Sequence, residues 1–358
     1  MTSLPPNGTI GILGGGQLGR MLALAAARLG YRVAILDPDK AAPAAQVADI
    51  HIAAPYENES ALDELAALAD VVTFEWENVP VASARRIEAR TPVFPPPAAL
   101  EAAQDRMAEK RFLNGLGIET APFHAVDSDQ DAQDALFELG GTGIVKTRRM
   151  GYDGKGQLRL RGSDELAGLH ASFNGVPLIL EGIVPFEREI SVIAARGQDG
   201  AFLAFDPAEN VHRDGILHTS TVPANVSPQI AHDAKEAARK ILDALDYVGV
   251  IGVEFFVTHD GRLLANEIAP RVHNSGHWTE AACVLSQFEA HIRALAGLAL
   301  PDPFRHSDCV MENLIGDEVS QAPLLAAEPG AMVHLYGKAE ARPGRKMGHV
   351  TRLTPRIG

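Results

Sequence analysis

The chain has 358 residues, a formal net charge of −14, 46% apolar residues and 22% charged residues. That length holds two or three domains around a large core. The acidic balance excludes broad binding to nucleic acid or an anionic membrane, though a local basic pocket is allowed. Cys283 and Cys309 sit in no Cys-x-x-Cys or Cys/His cluster, so they indicate neither a disulfide framework nor a zinc site, and a reducing cytoplasm fits. The first eight residues lack a targeting pattern, and the longest apolar runs are too short to span a bilayer.

The first third alternates strand and helix. Residues 9–13 read as a strand, Gly14-Gly15-Gly16 as a turn, and 17–29 as a helix ended by Gly30. Strands are expected at 32–36 and 71–74, with a helix over 61–69 between them, which makes a parallel-sheet unit. Pro92, Pro95, Pro96 and Pro97 break it off. Beyond them one polar helix is predicted over 98–116, then strands at 144–147, 176–181 and 190–195, and a helix over 232–245. A hairpin follows, then a helix over 279–297 and a tail with short strands at 310–314 and 332–336. The stretch 338–352 is locally basic.

Gly14-Gly15-Gly16-Gln17-Leu18-Gly19 matches G-x-G-x-x-G, and Asp37 ends the next strand at the spacing of a ribose ligand. Backbone N–H groups at a helix start bind any phosphate, so a dinucleotide and a ribose phosphate stay open here. Glu75, Glu77 and Asn78 follow the third strand, where α/β sheets bind ligands; a helix-capping cluster is the alternative. Lys146 leads into Gly151-Tyr152-Asp153-Gly154-Lys155-Gly156-Gln157, a second phosphate-type signal that a dehydrogenase has no use for. Glu181, in an apolar strand followed by Gly182-Ile183-Val184, can pair with an adenine edge and a ribose, or lie in solvent.

The hairpin carries the sharpest expectation. With Asp260-Gly261 as a two-residue turn, Glu254 faces Glu267 on one face of the sheet. Like charges so placed are destabilising unless a cation lies between them, and carboxylates with phosphates nearby point to Mg²⁺ and ATP. The alternative is a turn longer by one residue, with the glutamates solvated on opposite faces. Past Pro270, Arg271 offers a fork for a carboxylate, bicarbonate or phosphate, and His273 can carry a proton.

Lys146, the glycine loop, Glu181 and the Glu254/Glu267 pair stand in the order used by the ATP-grasp superfamily. The runs G-G-G-Q-L-G-R-M (14–21), T-F-E-W-E-N-V-P (73–80), Q-D-R-M-A-E-K (104–110), N-E-I-A-P-R-V-H-N-S-G-H-W-T (266–279), S-Q-F-E (286–289) and G-R-K-M-G-H (344–349) resemble the N5-carboxyaminoimidazole ribonucleotide synthetase family. That resemblance covers essentially the whole chain. It implies a Rossmann-like N-terminal α/β pre-ATP-grasp domain (1–97), an α+β ATP-grasp domain (98–298) and a small β-rich C-terminal domain (299–358).

The implied activity is ATP-dependent carboxylation of 5-aminoimidazole ribonucleotide with bicarbonate through carboxyphosphate, by a cytoplasmic, homodimeric ligase of purine biosynthesis. The resemblance assigns ATP to Arg106, Lys146, residues 151–157, Glu181, Gly182, Ile183, Val184, Glu189, His212, Asn266 and Glu267, and Mg²⁺ to Glu254 and Glu267. Tyr152, Arg271, His273 and Lys346 are the expected catalytic groups. Gln17, Leu18, Glu75, Asn78, Arg271, His273, Asn274, Ser275, Lys338 and Arg345 are expected on the ribonucleotide, with Arg342 competing for its phosphate. Ala269 stands where many superfamily members place an Asn, which leaves two protein carboxylates as metal ligands. Another ATP-grasp ligase or formyltransferase acting on a different amine, an NAD-dependent dehydrogenase and a silent nucleotide-binding protein are the alternatives.

Overall fold

The computed structural model of the chain describes residues 3–151, 156–162 and 166–356. Its first sheet is parallel, in the order β3-β2-β1-β4, from β1 (Thr9–Leu13), β2 (Arg32–Leu36), β3 (Ile50–Ile52) and β4 (Val71–Phe74). Helices on its faces explain the unbroken apolar strands. Helix α1 (Gln17–Arg28) buries Leu18, Met21, Leu22 and Ala26, α2 (Glu59–Leu68) starts on an Asn58 cap, and α3 (Val81–Glu88) follows β4.

The helix predicted over 98–116 is two. Helix α4 (Pro97–Ala103) ends before α5 (Arg106–Gly115), because the Asp105 carboxylate accepts the N–H groups of Met107 and Ala108 and starts a new helix.

A four-stranded antiparallel sheet comes next. Its order is β5-β8-β6-β7, from β5 (Phe123–Val126), β6 (Thr142–Thr147), β7 (Gln157–Arg161) and β8 (Leu178–Gly182). Helices α6 (Asp129–Glu138) and α7 (Leu169–Ser172) close its apolar face.

The remaining strands form one nine-stranded sheet. They are β9 (Phe186–Arg196), β10 (Phe202–Ala204), β11 (Ala208–Arg213), β12 (Ile216–Val222), β13 (Gly249–Thr258), β14 (Leu263–Ala269), β15 (Ser307–Ile315), β16 (Ala331–Leu335) and β17 (Lys346–Pro355). The C-terminal strands join it where β15 pairs with β12, so the expected β-rich unit shares a sheet with the central region.

Helix α8 (Pro228–Ala244) starts four residues earlier than predicted, because Ser227-Pro228 supplies the cap and a first-turn proline. The helix predicted over 279–297 splits into α9 (Thr279–Ala282) and α10 (Gln287–Leu295), the second capped by Ser286. A short α11 (Ala322–Leu325) lies before β16. Among the described residues no helix is long and apolar enough to cross a membrane.

Candidate active site

Glu254 on β13 does pair with Glu267 on β14, but not through the expected turn. Val257 faces Leu263, so the loop is the three residues 259–261, with Gly261 at φ +80°. A loop longer by one residue should have thrown the glutamates onto opposite faces. Instead the register shifts between Glu254 and Phe255, because Asn266 is an extra, bulged residue that restores the pairing. Burial, then the neighbouring Glu267, pushes the Glu254 carboxyl up to about 7.

The bulge is held by one face of α5. Arg106, Glu109 and Lys110 are spaced i, i+3, i+4 and so point the same way. The Ile268 N–H donates to Glu109 Oε1 at 2.6 Å, Lys110 Nζ donates to the Asn266 carbonyl at 3.3 Å, and Arg106 Nη1 lies 3.2 Å from Glu267 Oε2. Burial, reinforced by Glu267, raises the Glu109 carboxyl to about 8. Lys110 is also 3.5 Å from Glu181 Oε2 on the small sheet, so one buried ammonium links both sheets across the cleft.

On the small sheet Lys146 Nζ donates to the same Glu181 oxygen at 2.9 Å. Burial opposes ionisation of Glu181, but Lys146 and Lys110 hold its pKa below the ordinary value. Its other oxygen, Oε1, is buried with no donor among the described residues. Across the cleft His212 lies 2.6 Å from Glu189; burial disfavours its protonation, yet Glu189, Glu254 and Glu267 raise its pKa.

The Arg271 guanidinium is largely buried and donates to Glu77 and, at 3.0 Å, to the Val272 carbonyl. His273 Nε2 is 3.6 Å from Glu254 Oε1, and its Nδ1 meets the Ser275 hydroxyl at 2.9 Å. Burial, then Arg271 and Lys346, pushes the His273 imidazole down to about 3, so it is neutral at pH 7. Ser275 is fully buried and shared with Ser191, and the Asn274 amide is locked to Asn313. Ser275, expected to touch the ligand directly, is not among the residues lining the cavity and holds His273 from behind.

The first glycine loop is also more occupied than its motif suggested. The Gly15 N–H donates to Asp37 at 2.7 Å, and Glu75 accepts from Gly16 at 2.9 Å and Gly19 at 3.2 Å. Two carboxylates thus take donors that a dinucleotide pyrophosphate would need, and Asp37, also bonded by Tyr56 at 2.8 Å, is turned inward rather than toward a ribose. Lys338 from the C-terminal arm donates to the Gln17 side chain at 2.5 Å and to the Lys346 carbonyl at 2.6 Å.

These groups line one cavity of about 850 Å³. It brings together Gln17, Leu18, Glu75, Asn78, Arg106, Lys146, Gly151, Gln157, Glu189, His212, Glu254, Asn266, Glu267, Arg271, His273, Asn274, Lys338, Arg345 and Lys346. Glu181 stands directly behind Lys146, residues 182–184 continue from it, and Gly156 precedes β7. The expected roles of Tyr152, Asp153, Gly154 and Lys155 lie outside the described residues.

Family models match along the chain: the ribonucleotide synthetase preATP-grasp domain over residues 8–104, the ATP-grasp domain over 111–288 and the phosphoribosylaminoimidazole carboxylase C-terminal domain over 309–357. The chain is 62% identical over 357 residues to the N5-carboxyaminoimidazole ribonucleotide synthase of Brucella melitensis, covering 99% of each. This chain belongs to the N5-carboxyaminoimidazole ribonucleotide synthase family.

Solved synthases of that family share the fold. An ADP complex of an N5-carboxyaminoimidazole ribonucleotide synthetase superposes with a TM-score of 0.95 at 42% identity, over 100% of this chain and 95% of that one. The Aspergillus clavatus synthase in complex with ADP and 5-aminoimidazole ribonucleotide gives 0.90 at 34% identity, over 98% and 94%. Within the synthase fold, Glu109 and Lys110 are the site residues that sequence reasoning missed. A Glu-Lys pair in a polar helix reads as solvated; the usable signal was their shared face with Arg106.

Proposed function

We propose that this synthase-family chain is an ATP-grasp ligase that carboxylates 5-aminoimidazole ribonucleotide on its exocyclic amine. ATP and bicarbonate are its co-substrates, and ADP and phosphate its other products. The observation that carries the reading is the Glu254/Glu267 pair, held face to face by a bulge inside a cavity that runs on to Gln17 and Lys338.

The donor set fits a hard divalent cation: two facing carboxylates, one with its pKa raised by burial and by the other. Glu254 and Glu267 would hold Mg²⁺, which supplies charge neutralisation for the transferring phosphoryl group. Lys146 and Arg106 bring positive charge to the phosphate oxygens. Glu181, with one buried oxygen lacking a donor, is suited to a nucleoside hydroxyl or amino group.

Bicarbonate oxygen attacks the γ-phosphorus, the bond to ADP breaks, and carboxyphosphate forms. The amine nitrogen then bonds to the carbonyl carbon, phosphate departs with the C–O bonding pair, and the amine gives up a proton. Arg271, steered by Glu77, orients the carboxyl group. His273, neutral, hydrogen-bonded to Ser275 and 3.6 Å from Glu254, would receive that proton. Gln17, Leu18, Lys338, Arg345 and Lys346 line the same cavity and would surround the ribonucleotide phosphate.

A cytoplasmic homodimer completes the proposal. Val284 and Phe304 are 67% and 61% exposed and joined through their backbones, an apolar spot suited to a second copy. The deciding experiment is ADP release from MgATP with bicarbonate and the ribonucleotide omitted in turn. Dependence on both supports the reading; release that needs neither, or a different amine, overturns it.

A further inference from the structure

Away from the cavity, the C-terminal hairpin carries a second constellation of ligating groups. His334 on β16 and His349 on β17 are direct cross-strand partners, so both imidazoles leave the same face. Their rings lie 5.3 Å apart. Glu280 reaches over from α9, its Oε2 3.2 Å from His334 Nδ1. One ligand atom from each of the three residues lies within 4.8 Å of the others.

We infer that Glu280, His334 and His349 form a three-ligand site for a borderline divalent cation of the zinc type, with water in the fourth position. Ligand atoms about 2.1 Å from a tetrahedral ion sit roughly 3.4 Å apart. The Glu280–His334 pair is already at that spacing. Bringing in His349, whose ligand atom lies within 4.8 Å of the other two, takes a shift of at most about 1.4 Å, within reach of side-chain rotation at the half-exposed His334 and the exposed Glu280.

The surroundings favour a metal. The Tyr336 hydroxyl engages His349 Nδ1 at 2.9 Å, which fixes the ring from behind and leaves Nε2 for a ligand. A third imidazole, fully buried His277, packs 5.0 Å from His349 and has an Nε2 with no partner among the described residues. A cluster of imidazoles with one carboxylate matches imidazole–carboxylate zinc chemistry, whereas Mg²⁺ prefers oxygen alone.

The site joins α9, which follows the Arg271–His273 loop, to the two strands bordering the Lys338–Lys346 arm. A bound ion would strap that arm to the central fold.

The test is calorimetric titration of Zn²⁺ into the full-length, chelator-stripped protein, with saturating ADP and Mg²⁺ occupying the Glu254/Glu267 site. A parallel melting curve reads stability. One equivalent of Zn²⁺ should bind and raise the melting temperature, and His334→Gln and Glu280→Gln should each weaken binding by at least about tenfold. His334 is half-exposed and Glu280 exposed, and the folding of both variants is checked by their melting without zinc. No zinc equivalent under these conditions, or affinity unchanged in both variants, overturns the site.

Discussion

The Glu109 carboxyl group accepts the backbone N–H of Ile268 through Oε1, one residue beyond the Glu267 proposed to hold the metal. A helix side chain thereby replaces a ladder hydrogen bond that the Asn266 bulge disturbs. Glu109→Gln keeps an acceptor in place, whereas Glu109→Ala leaves a buried N–H unsatisfied, at a cost of about 1–3 kcal/mol. We expect the alanine variant to lose stability and to need more Mg²⁺ for half-maximal ADP release, and the glutamine variant to recover most of both. If alanine and glutamine behave alike in Mg²⁺ titration, the bulge does not depend on this bond.

Glu109 also makes stability depend on pH. Its folded pKa of about 8 lies above the ordinary value of 4.5, so the protonated form is favoured in the native state. Its contribution is complete below pH 4.5 and fades as pH climbs through about 8. Glu109→Gln removes that titration. Relative to the parent, the variant should gain on the order of a few kcal/mol between pH 5 and 9 in urea unfolding. A parallel pair of pH profiles would show that Glu109 is ionised throughout.

The paired glutamates trade stability for function. Burying Glu254 opposite Glu267 costs free energy when no cation is bound. Glu254→Gln and Glu267→Gln should each cut turnover by at least about a hundredfold, while the Glu254→Gln protein melts no lower than the parent in the absence of Mg²⁺. Near-normal turnover at ordinary Mg²⁺ would remove both residues from metal binding.

Most of the candidate cavity's lining was legible in the sequence because unusual residues stand in unusual places. Two acids opposed across a hairpin, a strand-borne lysine and an Arg-x-His after a strand-ending proline each break a local rule. The Glu254/Glu267 pairing emerged from two offsetting misreadings, a turn too short by one and a bulge unseen. Bulges leave little mark in sequence when the extra residue is polar and near a site. The helix breaks at Asp105 and Ser286 were readable as caps, but both sit inside runs whose composition favours continuing the helix. The occupied glycine loop was not readable. Glu75 lies 56 residues from Gly19, and only the folded sheet brings its carboxylate under the α1 N-terminus.

Arg271 and Glu77 are a largely buried pair, and removing one charge alone should be costly. Arg271→Ala leaves Glu77 unpaired, which destabilises by about 3–5 kcal/mol. Loss of activity in that variant would mix folding with chemistry. The Glu77→Gln/Arg271→Ala double variant separates them: it should regain much of the stability yet keep a raised KM for bicarbonate, with the KM for ATP little changed. Equal rises in both constants would make Arg271 a phosphate clamp.

Lys338 reaches from the C-terminal arm to Gln17 at the start of α1, and also binds the Lys346 carbonyl. It therefore couples the position of the arm to the glycine loop that borders the proposed ribonucleotide site. Burial against Gln17 and the Tyr336 ring, 5.5 Å from its ammonium, keeps the side chain from swinging into solvent. Lys338→Met preserves the aliphatic stem and removes the charge. The expected result is a KM for the ribonucleotide raised about tenfold, the loss of one charge-assisted contact, with the KM for ATP unchanged because the Lys146–Glu181 end of the cleft is untouched. Lys346→Met should act on the same constant, since both lysines line that end of the cavity. If neither substitution moves the ribonucleotide KM, the phosphate binds elsewhere, and the basic arm serves only to hold the two sheets in register.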